Sequence, residues 1–210
     1  MCKELGRLAQ GFETTEGTNT FFFLTLDQIK NIPKGKTVTY ARIVANYRPQ
    51  KSDPFRIRLT VGGNLLFVPG DISTKTADLT TSKILWNSVL STPNAKFAVI
   101  DIHNMYLQTP MFPYKYMRIS ITKIPKEFMD AYSLHDKVHN GHVYCEIRKG
   151  MYGLPQAGKI ANDLLKKRLA EFGYHETKYT PGLWKHNTRP VHFTLVVDDF
   201  GIKFVGEEHL

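Results

Sequence analysis

Apolar positions along this chain recur with two periods. Strand-like runs are "TNTFFFLTL" (residues 18–26), "FRIRLTVGG" (55–63), whose alternation is closed by glycines, and the short, buried-looking "KFAVID" (96–101). "YKYMRISI" (114–121) and "HVYCEIRKG" (142–150) read the same way, separated by a short helical segment in "PKEFMDAYSLHDKV" (125–138). "PGLWKH" and "HFTLVVDD" (192–199) predict two more strands, with "FGIKFVG" (200–206) returning as the second arm of a hairpin. The 3.6-residue period is clearest in "LPQAGKIANDLLKKRLAEFGY", where Ala157, Ile160, Ala161, Leu164, Leu165, Leu169 and Phe172 make one face and Gly173 is the stop. A second helix is expected in "LTTSKILWNSVLS" (79–91), starting near Ser/Thr caps, stopped by Pro93 and apolar at Leu79, Ile84, Leu85, Val89 and Leu90. "IPKGKTVTYARIVANYRPQKSDP" (32–54) reads as basic loop and short strand, and "VPGDISTKTADLTTS" (68–82) is rich in turn residues.

Strands and helices mixed in this order predict an α+β fold, an antiparallel sheet with helices packed on one face. At 210 residues the chain can bury a core as one large domain or two small lobes, and no repeat is visible. No run of 18 apolar residues suggests a membrane span, and "MCKELGRLAQGF" lacks the apolar core of a signal peptide. Cys2 and Cys145 are too few for a disulfide framework or a zinc cage.

Charge changes the picture more than composition does. A net charge of +9 favours a polyanionic partner such as nucleic acid, phosphates or an acidic membrane. The excess is local: Lys34, Lys36, Arg42, Arg48, Lys51, Arg56 and Arg58 stand against Asp53 alone between Asn31 and Thr60. Tyr40, Tyr47 and Phe55 lie among these cations, the interleaving that grooves tracking a nucleic-acid strand use. A solvated loop face would have the same composition.

Two strand-like runs end in acids, "FAVID" at Asp101 and "TLVVDD" at Asp198 and Asp199. Side by side, they would bring three carboxylates to one end of a sheet, where they repel unless a cation neutralises them. Oxygen ligands without a Cys or His pattern suit Mg²⁺ or Mn²⁺. Two such ions about 4 Å apart clamp the attacking and leaving oxygens of a phosphoryl displacement. An Asp-Asp pair is equally a turn signal, since Asp tolerates the left-handed region and bonds its own backbone. "DFG" at Asp199–Gly201 matches the magnesium motif of protein kinases, but no glycine-rich phosphate loop, strand lysine or His-Arg-Asp loop accompanies it, so that class is excluded.

Three blocks together resemble the reverse transcriptases of retrotransposons, most closely the copia type. "VIDIHNMYLQTPM" with "KYMRISITKIPKEF" resembles the first motif, an Asp followed five residues later by an aromatic. "EIRKGMYGLPQAGKIAN" resembles the second, a Leu-Pro-Gln turn opening a helix, and "FTLVVDDFGI" the third, the Asp-Asp hairpin. Their order and intervals match as well, over roughly residues 40 to 210.

The resemblance implies a right-hand polymerase palm with a fingers subdomain. Residues 31–95 would be the fingers-like basic region and helix, and 96–210 the palm, with a fingers return at about 112–150 after an unassigned segment 1–30. It implies an RNA-directed DNA polymerase using Mg²⁺ or Mn²⁺, dNTPs and a primed RNA or DNA template. Asp101 and Asp198 would be the main metal ligands, with Asp199 as the paired acid. Tyr106 would be the sugar gate that sterically excludes a 2′-hydroxyl, and Gln156 would lie beside the incoming nucleotide, with Gly153 and Pro155 in the turn against the nucleic acid. Arg56 and Arg58 match the fingers strand that binds the triphosphate, Arg58 slightly favoured, with Lys51 a further cation for the nucleic acid. His103, beside Asp101, would be a structural or strand-contacting residue rather than a base. The family also implies cytoplasmic particles and no membrane partner.

Two departures stand out. Val196 occupies the position two before the acid pair where the family has an aromatic, a site that touches primer or template. The chain stops at Leu210 without the later palm strands, thumb and RNase H domain of the family, which suggests a polyprotein fragment or a degraded element. The rival expectation is a catalytically silent, nucleic-acid-binding relic, and a third is an α+β domain whose motifs persist only as core.

Overall fold

The computed structural model of the protein describes residues 1–209. In chain order the first elements are α1 (Cys2–Leu8), β1 (Gly11–Phe12), β2 (Thr15–Glu16), β3 (Phe21–Phe23), α2 (Leu26–Lys30), β4 (Val38–Tyr47) and β5 (Phe55–Val61). There follow α3 (Leu79–Leu90), β6 (Ala95–Asp101), α4 (Met105–Gln108), β7 (Pro110–Ser120), α5 (Lys126–Ala131) and β8 (His142–Lys149). The last are α6 (Ala157–Glu171), β9 (Tyr174–Glu176), β10 (Leu183–His186), β11 (Val191–Val196) and β12 (Asp199–Val205). The α+β class holds. Among the described residues no helix is long and apolar enough to cross a membrane.

The chain divides into two compact units. The first comprises Met1–Asp71 and Tyr106–Ala157, the second Ile72–Met105 and the chain from Gly158 onward. Helix α3, which lies in the segment assigned from sequence to the fingers-like region, therefore groups with β6.

In the first unit five strands run in the order β3-β8-β7-β4-β5. All neighbours are antiparallel except β4 and β7, which are parallel with Thr39 beside Met117. Strand β8 alternates as its sequence predicts, with Val143, Cys145 and Ile147 fully buried alongside Met117 and Ile119 of β7. Phe128 of α5 is also buried and stacks on Tyr132 at 4.4 Å. Glu4 is a buried acid with its partners supplied: Leu59 N–H donates to it at 3.0 Å and Arg7 pairs with it at 2.7 Å. The expected loop with a short strand at 32–54 is corrected, because β4 is ten residues long. It is a strand because both its edges are used, by β5 along Ala41–Tyr47 and by β7 at Val38–Tyr40. Tertiary pairing there overrides a weak local pattern.

In the second unit five strands form a wholly antiparallel sheet, β6-β12-β11-β10-β9. The period of two puts Phe193, Leu195, Phe200, Ile202 and Phe204 on one face, where with Trp184 and Val191 they form the core. Each such side chain contributes about 1.5–3 kcal/mol of burial. Leu165 and Leu169 of α6 pack onto this face, and Trp184 stacks on Phe193 at 5.7 Å. Helix α6 ends before Gly173, whose φ of +81° fits the expected stop.

Helix α3 lies on the opposite face. Trp86 meets Phe97 edge-on at 5.2 Å, and the Lys203 ammonium donates to Ser88 O at 3.0 Å and Thr92 Oγ1 at 2.8 Å. Helices thus cover both faces of this sheet, correcting the expectation of one covered face. The cap of α3 is Asp78, which accepts from Thr81 N–H at 2.6 Å. Of its predicted apolar face only Leu85 is buried; Ile84 remains 64% and Leu90 88% exposed.

Candidate active site

The acidic hairpin is built by its ladder. β11 ends at Val196 and β12 begins at Asp199, so Val197 and Asp198 are the two central residues of a tight turn closed by the Val196–Asp199 pair. Half of the doubled acid therefore belongs to the turn and half to the strand. Val197 has φ +62°, while Asp198 is not in the left-handed region. This is the φ signature of a II′ turn, whose first central position favours glycine. A β-branched residue there is a backbone outlier costing about 1–2 kcal/mol.

Strand β12 then presents Asp199 to β6 directly opposite Asp101. One residue further along, Ile102 N–H donates to the Asp198 carbonyl at 2.9 Å. That bond makes Asp101 and Asp199 a non-hydrogen-bonded pair, the kind whose Cα atoms are about 4.5 Å apart and whose side chains are closest. Both side chains share one face of the sheet, and both residues are exposed. Like charges so placed destabilise the pair. The Asp199 carboxyl is accordingly pushed above its ordinary value by burial, then by Asp198 and by Asp101. Among the described residues no cationic side chain pairs with any of the three acids. Nor is any group of three or more His, Cys, Asp or Glu side chains gathered closely enough to hold a metal ion. The backbone brings Asp101 and Asp199 into register with Asp198 on the adjoining turn. In donor chemistry the set fits a hard divalent ion: oxygen atoms alone, exposed at Asp101 and Asp199 and half-buried at Asp198, without a competing ammonium or guanidinium. Val196 closes the turn at the same strand end.

The remaining candidates lie in the first unit. Arg56 and Arg58 sit two apart on β5 and so share a face, as expected. Arg58 lies over the Tyr152 ring at 4.6 Å, and Tyr152 meets Tyr106 edge-on with centroids 5.6 Å apart. Arg56 is held below its ordinary pKa by burial, then by Arg58 and Arg48. The Nε atoms of Arg48 and Arg58 are buried without a hydrogen-bond partner. Gln156 is buried, its Nε2 donating only to Met111 Sδ at 3.3 Å, and its Oε1 has no partner. Crowded cations and unsatisfied polar atoms of this kind call for an anionic, hydrogen-bonding ligand.

The turn that carries Gln156 is seated on β5 by Val61 N–H, which donates to Tyr152 O at 2.8 Å. Gly153 has φ +92°, and a Cβ there would lie 2.2 Å from Val61 O, so only glycine allows this approach. Pro155 follows in the same turn, packed beside Gly63. Lys51 lies exposed in the β4–β5 connection, its N–H donating to Arg48 O at 3.0 Å. Where that ladder ends, Tyr47 and Phe55 pair across the strands with rings 5.2 Å apart, and they remain 65% and 70% exposed.

The acids thus assemble in one unit and the arginines, Tyr106 and Gln156 in the other. Tyr152 was not singled out from sequence, and Arg48 was named there only as one of seven cations in the basic stretch. Tyr152 had a signal, an aromatic within the glycine-bracketed "GMYGLPQAG". No protein-family model matches the chain.

Proposed function

We propose that this chain is the fingers and palm portion of a retrotransposon RNA-directed DNA polymerase, joining a dNTP to a primer 3′-hydroxyl. The observation that carries the reading is the Asp101–Asp199 cross-strand pair with Asp198 on the adjoining turn. A solvent-accessible set of carboxylates without a cationic partner at the end of an antiparallel sheet is what divalent-ion catalysis of phosphoryl transfer requires. Mg²⁺ or Mn²⁺ held by Asp101, Asp198 and Asp199 would supply Lewis-acid activation of the hydroxyl and neutralise charge on the triphosphate.

The chain's other groups have separable tasks in this reading. Arg58, with Arg56, binds triphosphate oxygens bidentately, and the Tyr152 ring fixes the orientation of Arg58. Tyr106 excludes a 2′-hydroxyl from the ribose position. Gln156 offers its unpartnered Oε1 to the nucleotide, held by the tight turn at Gly153 and Pro155. Lys51 and Val196 meet primer or template. The partners are a primed RNA or DNA template, dNTPs and the thumb and RNase H regions of the same polyprotein, in cytoplasmic particles.

Primer extension on an RNA template with Mg²⁺ or Mn²⁺ tests the reading. Asp198→Asn is expected to lower extension by about a hundredfold or more, the scale of losing one preorganised charge-stabilising group. Extension that survives the substitution contradicts it. The exposed Tyr47–Phe55 pair beside Arg48 and Lys51 favours a second reading, a silent relic that binds nucleic acid without turnover. Salt-sensitive binding to an RNA–DNA duplex with no extension at all would establish that alternative.

A further inference from the structure

We propose that the recess between α3 and the β10–β11–β12 face of the second unit's sheet binds a small organic carboxylate with a compact apolar body. The recess has a volume of about 380 Å³, within the range of small-molecule sites. Ile84 and Leu85 of α3 and Leu183 of β10 give it apolar walls, and His192 and Lys203 line it from the sheet. Among the described residues none that lines it is acidic.

The register explains why an anion belongs there. Lys185 pairs with His192, and His192 pairs with Lys203, so three basic side chains stand in one row across β10, β11 and β12. With His192 held below its ordinary pKa, the standing charges of the row are the Lys185 and Lys203 ammoniums on either side of it, and an anion beside His192 would be attracted by both. The Lys203 ammonium is held by three neutral acceptors, Ser88 O at 3.0 Å, Ser88 Oγ at 2.9 Å and Thr92 Oγ1 at 2.8 Å. These bonds fix its position and leave its charge without a carboxylate. His192 is kept below its ordinary pKa by burial, then by Lys203 and Lys185, so it too would gain from a neighbouring anion. A carboxylate answers the two ammonium charges and favours the protonated form of His192, and an attached ring or branched chain fills the space beside Ile84, Leu85 and Leu183. Inorganic phosphate would answer the charge and leave the apolar walls empty. The site lies on the same sheet face as Asp199 but about 13 Å along β12 from it, so it is separate from the carboxylate end.

The test is an NMR titration of the full chain with benzoate, benzamide and inorganic phosphate as probes. Benzoate is expected to shift the amides of Leu85, Leu183 and His192 saturably and to raise the His192 pKa. Benzamide, of the same shape without the charge, should bind at least tenfold more weakly, and phosphate should leave Leu183 unshifted. Ile84→Glu places a competing carboxylate at an exposed position of the wall and should abolish benzoate binding in a folded protein. Lys203→Met should do the same, and Ile84→Glu keeps the test decisive if loss of the Lys203 bonds loosens α3. Equal binding of benzamide and benzoate, phosphate binding as tight as benzoate, or benzoate binding unchanged by Ile84→Glu would each overturn the proposal. Neither nucleotide nor divalent ion is present, so the outcome is independent of the polymerase reading.

Discussion

Asp101 and Asp199 face each other across β6 and β12 as a non-hydrogen-bonded pair, with the Asp198 carbonyl accepting from Ile102 N–H at 2.9 Å just beyond them. Two carboxylates at the closest register an antiparallel sheet offers are a standing electrostatic cost, of the few tenths to about 1 kcal/mol typical of opposed like charges. Holding such a pair on an exposed strand end makes physical sense where a cation or a proton comes to it.

The pH dependence of stability follows from the Asp199 carboxyl being raised above its unfolded value of 3.8. The folded state holds that proton more tightly, so protonation adds stability that is fully present below the unfolded pKa. The gain is lost as pH rises through the folded pKa. Asp199→Asn should therefore raise the midpoint of urea unfolding at pH 7 and make little difference near pH 3. A variant less stable than the parent at pH 7 in the absence of divalent ions would contradict this.

Val197 holds a backbone conformation that suits glycine, with φ +62° and a side chain 38% exposed. Val197→Gly relieves the left-handed cost of about 1–2 kcal/mol and adds back about 0.5–1 kcal/mol of chain entropy. The expected result is a small net stabilisation, about 0.5–1 kcal/mol, in chemical denaturation. A loss of more than about 1 kcal/mol would show that the valine side chain is a packing element.

Tyr152 orients Arg58 through its ring at 4.6 Å. Tyr152→Ala should weaken dNTP binding several-fold, matching a cation–π contact of about 0.5–2 kcal/mol, whereas Tyr152→Phe keeps the ring face and should bind like the parent. Equal losses in the two variants would place the effect in the hydroxyl instead. Fluorescence titration with a labelled dNTP distinguishes these outcomes.

Tyr47 and Phe55 give the basic hairpin an exposed aromatic surface. Replacing either by Ala should weaken single-stranded RNA binding by the roughly 1–3 kcal/mol of one base stack, leaving the salt slope unchanged. Lys51→Gln should instead lower that slope by about one, as losing a phosphate contact does. Anisotropy at several salt concentrations separates the two effects.

Strands β11 and β12 were legible because they alternate cleanly, whereas the expected burial of "KFAVID" is corrected: β6 is the edge of its sheet, with Val99 67% and Ile100 47% exposed. "KFAVID" is β6, and "HFTLVVDD" with "FGIKFVG" gives β11 and β12. What strand periodicity could not convey was that the doubled acid is split, Asp198 into the turn and Asp199 into the ladder, since that depends on loop length. Strand β4 was hidden because its stability comes from two partners distant in sequence. The apolar positions of α3 misled for a related reason: the helix meets the sheet through Leu85, Trp86 and Ser88 while Leu79, Ile84 and Leu90 stay exposed. At the candidate site, residue types and motif order marked the acids and arginines. The bridging role of Tyr152 is a three-dimensional fact, visible only once Val61 and the Gly153 turn are packed together.

If Asp101 and Asp199, with Asp198, form a divalent-ion site, a paramagnetic ion binds there. Electron paramagnetic resonance of Mn²⁺ titrated into the protein tests it most directly. The parent is expected to bind Mn²⁺ saturably and release it to Mg²⁺, and both Asp101→Asn and Asp199→Asn are expected to lose at least about tenfold in affinity. Mn²⁺ binding of the same affinity in the parent and in both variants would contradict it.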